Sequence, residues 1–249
     1  MTTEQTVPST GTRTPSGRDR IAFHAGIAAI ATLVLSLVGY AILSDGLPGV
    51  DASTEEWAAF YDDNHDQIVT GVTIFGVGTI FMLWYVAGVR YMLAAIEGGR
   101  GVASTIAFAG GLVMVGYYVV AQSGIEAAAL RAGEVDPAVT QAVGDLHIVA
   151  TGPTAAGFIA FYGAAAYVGY RYKVLHPVLV ALLALAALGS FAAFGTANAT
   201  SGALSAEGTI GLAEWLVIPG DIALIIALIR FRRSTTTTGA VADTSGSMS

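Results

Sequence analysis

The chain alternates long apolar runs with short polar breaks. Apolar runs cover about 21–43, 68–93, 102–123, 146–170, 175–194 and 211–230. Each reaches the length of about 20 residues that an α-helix needs to cross a hydrocarbon core of about 30 Å. The pattern predicts an all-α, polytopic integral membrane bundle of six transmembrane helices. The first run is about 23 residues and follows Arg13, Arg18 and Arg20. That exceeds the 7–15-residue core of a signal peptide, so an uncleaved first span is expected. Residues 1–19, rich in Thr, Ser, Pro and Gly, and the low-complexity stretch 234–249 read as disordered tails.

The polar breaks carry their own signals. Ser53 followed by Glu56 fits a capping box, predicting a short helix whose Trp57, Phe60 and Tyr61 fall on one side, as suits a helix at the lipid interface. Residues 124–145 are alanine-rich and amphipathic, and Asp136 before Pro137 is an N-cap with proline at the first helical position. The third and fourth helices should therefore extend past the bilayer as a protruding hairpin. Gly110, Gly111 and Gly116 permit close helix contact, and Gly152-Pro153 predicts a kink in the fourth span.

Composition agrees with membrane insertion. Only 12% of the residues are charged and 54% are hydrophobic, against about 25% charged in a soluble domain; mean hydropathy is +0.67. The absence of cysteine excludes disulfides, thiolate metal sites, iron–sulfur clusters and cysteine nucleophiles. Net charge is −7, yet its distribution says more. With six spans, Arg13, Arg18, Arg20, Arg90, Arg100, Arg171, Lys173, Arg230, Arg232 and Arg233 share the side of the termini, and Arg131 alone lies opposite. Such asymmetry places both termini in the cytoplasm, in the cytoplasmic (plasma) membrane.

The last run, GLAEWLVIPGDIALIIALIRFRR, holds the sharpest chemical signal. Glu214 and Asp221 are seven residues apart and project from nearly one helix face, with Pro219 and Gly220 between them. Asp221 lies nine residues from Arg230, about 13–14 Å along a helix, near the bilayer midplane. An acid at that depth costs about 2.5–3.5 kcal/mol to insert and marks a cation, proton or solute site by default. The plainer reading is packing glue, with Asp221 bonded to a hydroxyl from Thr70, Thr73, Thr79, Tyr117, Thr151 or Thr154.

A second group of polar residues gathers on the opposite side from the termini: Asp62, Asp63, His65 and Asp66, then Gln122 and Glu126, then Asp145 and His147. Glu126 and His147 are candidate ligand groups, though the spacing matches no closed metal motif. His24 with His176, and His65 with His147, form two same-level pairs that admit haem. Trp84, Tyr85, Tyr117, Tyr118 and Trp215 admit a quinone or lipid pocket, although interfacial belts and core packing explain them more cheaply. No GxxxxGK[ST] or GxSxG motif occurs, and no basic patch suggests nucleic acid.

The stretch TEEWAAFYDDNHDQIVTGVTIFGVGTIFMLWYVAGVRYMLAAI resembles a broad group of uncharacterised bacterial polytopic membrane proteins. They share an acidic-aromatic outer loop and a long span ending in a basic–aromatic pair, here Arg90-Tyr91. The resemblance implies a fold of about six spans and no chemistry. The leading expectation is a membrane protein that binds or moves a cation or small solute at Asp221, with Glu214, His147 and Glu126 as further candidates. No cofactor is called for, an enzyme is the less favoured class, and a homo-oligomer or a membrane partner is expected within the lipid bilayer. The alternatives are an accessory or sensory protein with an acidic outer face and, third, a haem or quinone redox protein.

Overall fold

The computed structural model describes the backbone of residues 17–49, 52–99, 101–196 and 211–242; the side chains of 17–19, 147–149, 151–153, 192–196, 211–214 and 232–242 lie outside the description. Among these residues every regular element is a helix. There are six long helices: α1 (Gly17–Leu43), α3 (His65–Ile96), α4 (Val102–Arg131), α6 (Leu146–Arg171), α7 (Pro177–Thr196) and α8 (Gly211–Ala242). Two short ones, α2 (Thr54–Asp63) and α5 (Pro137–Gly144), lie between them. Three helical stretches, Arg20–Leu43, His65–Ile96 and Val102–Arg131, are long and apolar enough to cross a membrane.

Consecutive long helices pack side by side, α1 on α3, α3 on α4, α4 on α6, α6 on α7 and α7 on α8, and α8 closes the ring against α1. Neighbours run antiparallel: Gly39 faces Gly71 and Gly88 faces Ala25 where α1 meets α3, while Gly26 faces Ile229 where α1 meets α8. The bundle thus has a terminal end, holding Arg20 and Phe231, and a far end, holding Leu43, His65 and Arg131. α3 also reaches across to α8.

Glycine sets how closely one of these seams can approach. A Cβ on Gly110 would sit 2.6 Å from the Gly157 carbonyl oxygen, and one on Gly157 would sit 2.9 Å from that of Gly110. The backbones of α4 and α6 therefore touch, the small-residue packing of helices that have no hydrophobic drive between them in lipid.

Local capping explains the short elements. Ser53 Oγ accepts from Glu56 N–H at 3.2 Å and Glu56 Oε2 accepts from Ser53 N–H at 2.8 Å, the reciprocal box that starts α2. Asp136 accepts from Ala138 N–H at 2.9 Å to start α5, with Pro137 at the first position. Glu97 starts α4 from outside, accepting from Ala103 N–H at 3.2 Å and Ser104 N–H at 2.8 Å. Gln67 closes α1 by donating to the Ile42 and Asp45 carbonyls at 2.8 and 2.9 Å.

Three features differ from the sequence pattern. Trp57, Phe60 and Tyr61 do not face lipid; they are buried against Ile68, Val72, Ala128 and Ala129, because α2 folds down over α3 and α4 as a cap at the far end. The return arm of the hairpin is the separate helix α5, which packs on α2. α8 also continues as helix through residues 234–242, where the composition reads as a tail; a helix already nucleated propagates at little further cost. Residues 1–16 and 243–249 lie outside the described residues.

Candidate functional site

Asp221 sits in α8 one residue after Gly220 and two after Pro219, the proline inside that helix. Tyr85 of α3 donates its hydroxyl to Asp221 Oδ1 at 2.9 Å, and Tyr162 of α6 donates to the same oxygen at 2.8 Å. Both phenols are fully buried, at 1% and 0% exposure. A tyrosine in an apolar core needs a partner for its hydroxyl, and an acid in the same core needs donors. One carboxyl satisfies both phenols and links three helices.

Gly220 makes this geometry possible. A Cβ there would lie 2.7 Å from the Ala186 Cβ and 3.0 Å from the Tyr162 ring. The bare backbone lets the ring lie against α8 beside Asp221. Phe161 braces the other phenol, meeting the Tyr85 ring edge-on at 5.7 Å.

Among the described residues, Asp221 Oδ2 has no hydrogen-bond partner. Asp221, only half-buried, lines a cavity of about 180 Å³ in the far half of the ring. All six long helices contribute to its wall, which is mainly aromatic and aliphatic: Tyr40, Phe75, Tyr117, Tyr118, Phe158 and Trp215 are its rings. Tyr118 contacts Phe75 at 5.2 Å and Phe158 at 6.2 Å, so these rings form one connected surface. Thr32, Ser36 and Ser190 add hydroxyls, of which Thr32 donates to the Gly78 carbonyl at 3.4 Å and Ser190 to Ala186 at 2.9 Å. Among the described lining residues Asp221 is the one ionisable acid, and no Lys or Arg joins it.

No family model, curated protein or solved structure matches this chain. The site must be read from its own chemistry.

Of the candidates taken from the sequence, Asp221 stands at the centre. Glu126 is half-buried on α4 and does not line the cavity. The side chains of Glu214, His147 and Thr151 lie outside the described residues. The threonines offered as partners turn away from Asp221: Thr70, Thr73, Thr79 and Thr154 each donate to the carbonyl four residues earlier in their own helix. Tyr85 and Tyr162 take that role instead. The sequence places Tyr85 among possible pocket aromatics and does not single out Tyr162. The available signal was a phenol deep inside an apolar run, which must find an acceptor.

The remaining polar candidates are dispersed. His65 Nδ1 lies 3.2 Å from the Ala129 carbonyl, and the exposed His176 accepts from Val178 N–H at 3.3 Å at the start of α7. His24 is exposed beside Phe23. Trp84 points outward at 66% exposure, whereas Tyr117, Tyr118 and Trp215 do line the cavity. Among the described residues no three His, Asp or Glu side chains gather as a metal site.

The cap holds a different tyrosine. Tyr61 is buried with its hydroxyl against Gly144, where any side chain would collide with it. Burial first, and the nearby Asp145 carboxylate second, push its phenol well above the usual value near 10.

Proposed function

We propose that this is a multi-pass protein of the cytoplasmic membrane that binds a small organic cation at Asp221. The reading rests on one observation: a carboxyl clamped through Oδ1 by two buried phenols, with no partner on Oδ2 among the described residues, at the wall of an aromatic cavity. The tyrosines fix the orientation of the acid, and the free oxygen meets the ligand. A bare metal ion suits this site poorly, since hard cations require six or more oxygen ligands, and the cavity supplies one carboxyl amid rings. An alkylammonium suits it well. Its charge pairs with the carboxylate while its alkyl groups lie on aromatic faces, a contact that contributes about 0.5–2 kcal/mol.

Six crossings with both termini cytoplasmic complete the proposal. The ring of six antiparallel long helices and the concentration of Arg and Lys at its terminal end support it. The cavity then opens in the outer half of the membrane.

Thermal unfolding of the wild type and Asp221→Asn in detergent, with tetramethylammonium and with alkali and alkaline-earth cations, tests the reading. A ligand at a hundredfold excess over its dissociation constant stabilises the folded state by about 2.7 kcal/mol. Tetramethylammonium is expected to raise the melting temperature of the wild type alone. Equal responses of the two proteins would remove Asp221 from the site.

A second reading draws on the cap. Glu55, Glu56, Asp62, Asp63 and Asp66 are exposed on α2 and the start of α3, an acidic outer face for a basic partner in an accessory role. A pull-down of the partner that survives Asp221→Asn but not reversal of these charges would favour it.

A further inference from the structure

The wall of the cavity is not equally closed all round. Its lining residues from α3, α4, α6 and α7 are buried or half-buried, Phe75, Met82, Ala155 and Ser190 among the most buried. The exposed lining residues all belong to α1 and α8: Leu37 at 41%, Tyr40 at 49% and Trp215 at 66%. Toward the terminal end the same two helices are in contact, Gly26 lying within 3.7 Å of Ile229 for a Cβ built on it. The seam between α1 and α8 is therefore shut at one end and parted at the other. The exposed rim of Leu37, Tyr40 and Trp215 forms the mouth of the cavity, in the far half of the ring.

We infer that the ligand is a single-chain amphiphile with an ammonium head group, entering from the outer leaflet between α1 and α8. The head reaches Asp221 and the alkyl chain leaves through the mouth past Leu37, Tyr40 and Trp215. This rests on the reading of Asp221 as a cation site and adds the class of molecule and its route. The chemistry of the wall supports it. A water-soluble ion has no use for an aromatic, largely apolar path, whereas an alkyl chain crossing it stays out of water throughout. One acid and no base among the described lining residues select a cationic head over an anionic or zwitterionic one. A cavity of about 180 Å³ accommodates a head group and the first few methylenes and leaves the rest of the chain among lipid tails.

The test is a chain-length series on the unaltered protein in lipid nanodiscs: tetramethylammonium, then butyl-, octyl- and dodecyltrimethylammonium, with dodecanol as the uncharged control. Melting temperature is the first readout. The half-saturating concentration is expected to fall at least tenfold from tetramethyl- to dodecyltrimethylammonium, with no saturable response to dodecanol. Asp221→Asn should remove the response to the whole series. The second readout is tryptophan fluorescence with a chain-brominated dodecylammonium. Saturable quenching is expected in the wild type and should vanish in Trp215→Phe, leaving Trp57 and Trp84 unaffected. Equal half-saturation by short and long cations would overturn the amphiphile while leaving Asp221 as a cation site. Saturable quenching that persists in Trp215→Phe would overturn the α1–α8 route. A response to dodecanol retained by Asp221→Asn would overturn the ionic head. No response to any cation would overturn the site itself.

Discussion

Two seams of the same ring are built in opposite ways. Between α4 and α6 the glycines at 110 and 157 bring backbone against backbone, and toward the terminal end the seam opens into a groove lined by Val102, Ile106, Ala160 and Tyr167. Between α1 and α8 the helices are in contact, as near Gly26 and Ile229, and toward the far end they carry the exposed rim of the cavity that Asp221 lines. In a membrane, where lipid is as apolar as leucine, a tight seam needs small residues and a loose one needs a reason. The loose seam is the one that carries the intramembrane acid, which costs stability wherever it is placed.

Enlarging one residue on each seam separates them most strongly. Gly157→Leu should destabilise the fold by about 3 kcal/mol, because a Cβ already meets the Gly110 carbonyl oxygen and Val113 at 2.9 Å and backbone cannot yield. Ser36→Leu, on the wall of the cavity, should change stability by less than about 1 kcal/mol, since the added carbons enter open space. Chemical unfolding in mixed micelles measures both. Similar losses for the two would mean that the α1–α8 cavity is closed in the working protein.

The two kinds of buried tyrosine offer the next contrast. The folded state holds the Tyr61 proton more tightly than the unfolded chain does, because its phenol is raised above 10. Its stabilising effect is complete below pH 10. As pH rises past that value the unfolded chain releases the proton and the folded chain does not, so stability falls by up to about 1.4 kcal/mol per pH unit. Melting temperature should thus drop more steeply above pH 10 in the wild type than in Tyr61→Phe, with the two curves parallel below it. Parallel curves throughout would show the cap to be open to water.

A smaller effect attaches to the clamp. Tyr85→Phe or Tyr162→Phe removes one hydrogen bond to Asp221 and should cost about 1 kcal/mol. The double variant should cost more than the sum of the singles, since the acid then loses every donor described for it. Strict additivity would mean that water replaces the phenols.

How much of this could be read from the sequence follows from the range of each interaction. The helices, the Ser53–Glu56 box and the Asp136-Pro137 start depend on residues a few positions apart, and they stand where the pattern puts them. Asp221 was legible too, because a carboxyl in an apolar run is conspicuous whatever surrounds it. Its partners were not. Tyr85 and Tyr162 lie 136 and 59 residues away, and nothing local separates them from Tyr117 or from the threonines that satisfy their own helices. The inward face of α2 was misread for a related reason: an amphipathic helix of ten residues looks alike whether its apolar side meets lipid or α3 and α4.

The claim that organises the molecule is that Asp221 Oδ2 is a ligand-binding oxygen rather than packing glue. Calorimetric titration of tetramethylammonium into the wild type, Asp221→Asn and Tyr85→Phe in nanodiscs addresses it directly. Saturable one-site binding in the wild type is expected, weakened about tenfold in Tyr85→Phe, where the acid loses one of its two positioning bonds, and absent in Asp221→Asn. Identical heats in all three proteins would contradict the account and leave the aspartate as a structural tie between α3, α6 and α8.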